Sequence, residues 1–171
     1  MATVTFIVGS ATDAFDADFA RAVAEQLRAR YAYAEKTGEE SYRSEPVNVK
    51  GWRELQTLMR NMIGQDAAPH FTNVDAYQTV YVPKEIEAIE SVTIANAADP
   101  LHVASLPALI RELTTFAETA QLPTDEVKLM ELAAEYLEAE EDRELDFQTY
   151  VQLMMSAKQA AARGQALFVS V

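Results

Sequence analysis

Residues 3–9 read TVTFIVG and residues 166–171 read ALFVSV, so the chain begins and ends as strand. The first segment is apolar and β-branched on both alternating faces, and a strand with no polar face must be central or covered on both sides. A third run, YQTVYVP at 77–83, also reads as strand, and Pro83 stops it because proline cannot donate to a ladder. These segments predict an α+β fold: a small sheet built from the two terminal strands and a central strand, covered by about five helices whose apolar stripes bury against it.

The helices follow from spacing. Phe15, Phe19, Val23, Leu27 and Tyr31 recur every four residues after Asp13 or Asp16, which can cap a helix from about 16 to 34. Asn48 is placed to cap a second helix with Trp52, Leu55, Leu58, Met59 and Met62 on one face and Gly64 at its end. Ser105 caps a third, with Pro107 in its first turn and Leu106, Leu109, Ile110, Leu113 and Phe116 inward. After Pro123-Thr124 a fourth turns Leu129, Met130, Leu132, Ala133, Tyr136 and Leu137 inward. The last carries Phe147, Tyr150, Val151 and Met154 and closes at Arg163-Gly164. Residues 35–48 read as a long polar surface loop, and residues 84–98 suit either a short helix at Ile86 and Ile89 or a strand at SVTIA.

One domain, 1–171, suits this length, with a single sizeable core. No apolar run approaches the ~20 residues that span a bilayer, and the opening lacks the pattern of a secretory signal, so the expectation is a cytoplasmic protein with no membrane partner. With Cys 0, disulfides, thiol catalysis and thiolate zinc sites are excluded.

The net charge of -13 sits mostly in one part of the chain. Residues 1–60 hold 8 Lys+Arg against 9 Asp+Glu, whereas residues 61–171 hold 6 against 18. Ten acids fall between Asp125 and Asp146, with only Lys128 and Arg143 to offset them. A phosphate backbone would be repelled there, which argues against nucleic acid as a partner. The candidate partner-binding surface is Glu135, Glu138, Glu140, Glu141, Asp142 and Glu144, and the partner it suits is a basic protein.

That stretch also resembles a calcium-binding helix-loop-helix over about 20 residues. With Glu138, Glu140, Asp142, Glu144 and Thr149 laid on loop positions 1, 3, 5, 7 and 12, the chemistry fails. Arg143 stands where a glycine makes the sharp turn, and Thr149 stands where a bidentate Glu completes the shell. A solvated turn between two helices is the simpler reading, and no metal or cofactor is assigned.

Other motifs carry less. Gly9 and Ser10 lie between a strand and a helix, where phosphates are often held, but neither G-x-G-x-x-G nor a GKS/T ending is present and Asp13, Asp16 and Asp18 would oppose an anion. His70 and His102 stand alone beside Pro69 and near Asp99, as at loop ends, and no G-x-S-x-G supplies a nucleophile. Trp52, Met59 and Met62 read as core at helical spacing rather than as a soft binding face. Tyr42 and Arg43, among Glu39, Glu40 and Glu45, form the other candidate recognition element. No catalytic residue is assigned.

The expected function is a non-catalytic acidic protein-binding or regulatory module, by analogy with immunity or inhibitor proteins that mask basic nuclease-like toxins. The alternative is a small-molecule-binding protein or small enzyme using the Gly9-Ser10 strand-to-helix turn.

Overall fold

The computed structural model describes residues 2–36, 38–138 and 144–171. Strand β1 (Thr3–Val8) meets β7 (Leu167–Ser170) antiparallel, with Phe6 opposite Val169 and Ile7 opposite Phe168. Strand β7 pairs in turn with β4 (Thr79–Val82), so the three expected strands lie side by side at the centre of the sheet. Their alternate residues enter two separate cores. Val4, Phe6, Val8, Tyr81, Leu167 and Val169 face one side, and Ile7, Val80, Val82 and Phe168 face the other. A strand apolar on both faces is therefore covered twice, as its composition demands.

The sheet is larger than three strands. Strand β6 (Leu101–Ser105) lies parallel to β4, and β5 (Glu90–Val92) closes that edge antiparallel to β6. At the other edge β2 (Tyr42–Arg43) and β3 (Val47–Asn48) both run antiparallel to β1. The mixed order is β2-β1-β7-β4-β6-β5, with β3 also on β1, and the class is α+β. Residues 35–48 are thus partly an edge strand rather than a free loop, with the main-chain donor gap at Pro46 tolerated because no strand lies beyond. Ser44 secures them, its N–H bonding to the Phe6 carbonyl and its Oγ accepting the Phe6 N–H, both at 2.9 Å. Residues 84–98 resolve to the strand reading at β5, and the short helix at Ile86 is not formed.

One layer beside the sheet holds α1 (Ala11–Ala14) and α2 (Ala17–Tyr31). Asp16 caps α2 by accepting the Phe19 N–H, and Val23 and Leu27 are buried, while Phe15 precedes the helix and stacks edge-on to Phe19 and Phe168. The opposite layer holds α3 (Val49–Ile63), the short α4 (Pro69–Thr72), α5 (Leu106–Ala120), α6 (Glu126–Glu138) and α7 (Leu145–Arg163). Asn48 and Ser105 cap α3 and α5 as their side-chain chemistry predicts. Trp52 lies at the centre of this core, tilted on Phe6 and edge-on to Phe71, its Nε1 donating to the Val74 carbonyl.

Three residues expected inward are exposed instead: Met62 on α3, and Met130 and Leu137 on α6. Helix α6 packs mainly on α7 and has solvent on its far side, so it has only a narrow stripe to bury, Leu129 and Ala133, with Leu132 and Tyr136 half-covered.

Helices α3 and α7 cross at Gly51. A Cβ there would lie 2.5 Å from the Leu145 carbonyl oxygen and 2.6 Å from Thr149 Oγ1, so the close approach needs a residue without one. Gly51→Ala should therefore push α7 outward and lower stability by about 1–3 kcal/mol, the usual cost of overpacking. A thermal melt unchanged from wild type would show that the crossing is not that tight.

Candidate functional site

The acidic stretch begins on α6. Glu135 and Glu138 are exposed, Glu144 is exposed and stands ahead of α7, and Glu140, Glu141 and Asp142 lie outside the described residues. Glu144 is in the left-handed region at φ 50, and its carboxylate accepts the Tyr136 hydroxyl. Burial, and then the neighbouring Glu144 charge, raise the Tyr136 pKa, so the phenol keeps its proton. Thr149, set at the twelfth position of the calcium register, is a fully buried residue of α7 whose hydroxyl donates to the Leu145 carbonyl. It faces Gly51, which explains why a small β-branched residue stands there rather than a metal-binding Glu.

Beside the acids runs an apolar line, of which sequence spacing assigns Met130 and Leu137 to the core. Val127 is 65% exposed, Met130 55% and Leu137 64%. At 3.6 residues per turn these positions, with exposed Ala134 between them, fall on one face of α6, and Glu131, Glu135 and Glu138 flank it. Large apolar side chains clustered on one helix face within a charged rim are the usual composition of a contact surface.

The Gly9-Ser10 turn is filled by the chain's own carboxylates. Asp13 Oδ2 accepts the Ser10 N–H at 2.8 Å and the Ser10 hydroxyl at 3.0 Å, and Glu35 Oε1 accepts the Ala11 N–H at 2.7 Å. A Cβ on Gly9 would meet Asp13 Oδ2 at 2.5 Å, so the glycine serves this internal cap. The donors that a phosphate would use are taken. A cavity of about 760 Å³ opens nearby, between the start of α2, residues 95–99 and the end of β7, but its walls include neither Gly9 nor Ser10.

Tyr42 and Arg43, the other candidate recognition pair, lie on the edge strand β2. The Tyr42 ring packs against the core and Arg43 Nη2 donates to the Asp13 carbonyl, while Arg163 Nη1 holds the Glu40 carbonyl at 2.7 Å. These contacts fasten the segment to the body.

The two histidines are not loop ends. His102 stands on β6, 3.4 Å by its Nδ1 from Ser91 Oγ. His70, on α4, is only 4% exposed. Its Nδ1 accepts the Ser105 N–H at 3.1 Å, which places the single proton of the neutral ring on Nε2, 3.4 Å from the Glu87 carbonyl oxygen. Burial lowers its pKa, which keeps the ring neutral.

Glu112 of α5 is the residue sequence reasoning missed. Its two carboxyl oxygens accept the backbone N–H groups of His70 and Phe71 at 3.1 and 3.0 Å. Ala68 offers no side-chain cap to α4, so Glu112 caps that helix from 41 and 42 residues away. It is 9% exposed, and burial pushes its pKa up to about 7 against the partial compensation of those two N–H groups. The only hint in the sequence is that Glu112 stands between Arg111 and Leu113, on the apolar side of its helix.

His70 and Glu112 both line a cavity of about 640 Å³ bounded by α4, residues 85–87 and α5. At its rim Arg111 forks onto Glu85, with Nη1 to Oε1 at 2.6 Å and Nη2 to Oε2 at 3.0 Å, which lowers the Glu85 pKa. Among the described residues no group of three or more His, Asp or Glu is placed to hold a metal ion, and no helix is long and apolar enough to cross a membrane. No family model, curated protein or solved structure matches the chain.

Because Glu112 holds its proton up to about pH 7 in the fold but only to about 4.5 in the unfolded chain, the folded state binds more protons between those values. Its contribution to stability is present below that window and is lost as pH rises through it. Urea unfolding from pH 5 to pH 8 should show wild-type stability falling relative to that of Glu112→Gln as pH rises, since the lowered His70 pKa acts in the opposite sense and is common to both. Equal slopes would remove Glu112 as the group responsible.

Proposed function

We propose that the protein is a non-catalytic cytoplasmic binding module whose α6 face docks a basic, amphipathic segment of a partner protein. The observation that carries this reading is the exposed line Val127, Met130 and Leu137 flanked by Glu131, Glu135 and Glu138. A partner helix with leucine-like anchors and Lys or Arg beside them would bury the apolar line while pairing with the acids. The apolar anchors would supply most of the affinity, and the net charge of -13 would speed encounter and reject acidic competitors and nucleic acid. The role would be analogous to that of immunity or inhibitor proteins that cover basic toxins. A small-molecule role at the Gly9-Ser10 turn has less support, because Asp13 and Glu35 occupy its donors.

The test uses a fluorescent basic amphipathic helical peptide of leucine and lysine, together with a scrambled peptide of equal charge. Saturable binding of the amphipathic peptide should fall at least about tenfold in Met130→Ser with Leu137→Ser, and it should weaken with salt in wild type and vanish in a Glu131, Glu135, Glu138→Lys variant. Thermal stability should hold, since these side chains are exposed. Equal binding of both peptides, or binding indifferent to the serine pair, would leave a solubilising charge rather than a docking face.

A further inference from the structure

The cavity beneath α5 is a second candidate site, independent of the α6 face, and its charge inventory selects a ligand class. We propose that it binds a small organic cation, an alkylammonium or guanidinium group, engaged by the Glu112 carboxyl within and the Glu87 carboxylate at the rim.

Position is the first argument. Strands β4 and β6 are the parallel pair of the sheet, and the cavity lies beyond their carboxyl ends, between the segment that follows β4 and the helix that follows β6. In open α/β sheets ligands bind beyond the carboxyl ends of parallel strands, and this cavity has the corresponding placement at the one parallel pair among the described strands. At about 640 Å³ it falls within the range of small-molecule sites.

The walls decide the sign of charge. Of the charged lining groups, three are carboxyls, Glu85, Glu87 and Glu112, and one is the guanidinium of Arg111. Arg111 is already forked onto Glu85, so that pair is internally neutral. His70 carries its one proton on Nε2 and is kept neutral by burial. No cation is left over for an anionic ligand, whereas Glu87 and Glu112 remain for a cationic one. Each Glu112 oxygen accepts a single backbone N–H, and a carboxylate oxygen has a second lone pair to offer. The two main-chain bonds hold the carboxyl still, so a ligand need not order it.

A cation beside Glu112 favours its ionised form, so binding is coupled to loss of a proton. The groups that face Glu112 are His70 from α4, the Tyr81 phenol from β4, which burial keeps protonated, Glu85 and Glu87 from the segment after β4, and Arg111 from α5 itself. Protonation of His70 at lower pH would repel the ligand, so His70 and Glu112 both make affinity rise with pH.

Amide NMR titration of the whole chain with butylammonium and ethylguanidinium chloride tests this, with sodium butyrate and inorganic phosphate as counterparts at matched ionic strength. The expected result is saturable shifts at the His70 and Phe71 amides with the cations alone, and affinity rising several-fold from about pH 5 to about pH 8. Glu112→Gln should weaken binding about tenfold or more. Thr115→Trp should block the cavity from an exposed wall position and abolish binding, and together with Glu87→Gln it decides the matter if Glu112→Gln does not fold. The proposal is overturned if the cations give no saturable shift at these amides, if butyrate or phosphate perturbs them equally, if shifts are confined to α6, or if Thr115→Trp leaves binding intact.

Discussion

The antiparallel pairing of β1 with β7 is the constraint on which the rest of the structure depends. Both strands are apolar on both faces, so neither can be an edge, and each supplies the other with a partner on its flank. Once β7 lies between β1 and β4, α7, which leads into it through Gly164 at φ 62, must cross one face of the sheet. That face then needs the other long helices to bury α7, and the opposite face needs α2 to cover Ile7 and Phe168. The closeness of α3 to α7 at Gly51 follows from the same requirement, since Trp52 reaches Phe6 only if α3 lies low on the sheet beside α7.

A second, polar constraint governs residues 70–74, the single turn of α4 and its exit, where local backbone bonds meet the N–H groups of residues 71–74 but leave most of the carbonyls to side chains. Their groups are met by side chains from three other elements. Tyr81 donates to the His70 carbonyl, Gln56 to those of Phe71 and Val74, Arg60 to that of Thr72, and Glu112 accepts the His70 and Phe71 N–H groups. Leaving such groups buried without partners would cost about 1–3 kcal/mol each. A carboxyl kept in the core for this purpose is also a carboxyl at the wall of a cavity, so one residue both caps α4 and gives the cavity its acidic character.

Much of the architecture was legible because it rests on local signals. The caps Asp16, Asn48 and Ser105, the inward stripes of α2, α3, α5 and α7, and the three central strands are each set by side chains within a few residues of one another. Strands β5 and β6 were harder, since three to five residues give periodicity too little to act on and β6 is bounded by Pro100 on one side and by a helix cap on the other. The edge at 42–48 has the sequence of a free loop because its pairing with β1 is held by Ser44 and Phe6, 38 residues apart.

The sequence by itself determined the acidity, the α+β class, the double covering of the terminal strands and the failure of the calcium register at Arg143 and Thr149. Only the tertiary structure decided which apolar residues of α6 are core and which are surface. A helix carrying apolar residues nearly all round shows several possible stripes, and the neighbour it packs on selects one, leaving Val127, Met130 and Leu137 in water. It also decided that His70 and Glu112 meet at one cavity, because burial and hydrogen bonding between residues 42 apart are properties of packed surfaces and leave no periodic trace in the chain.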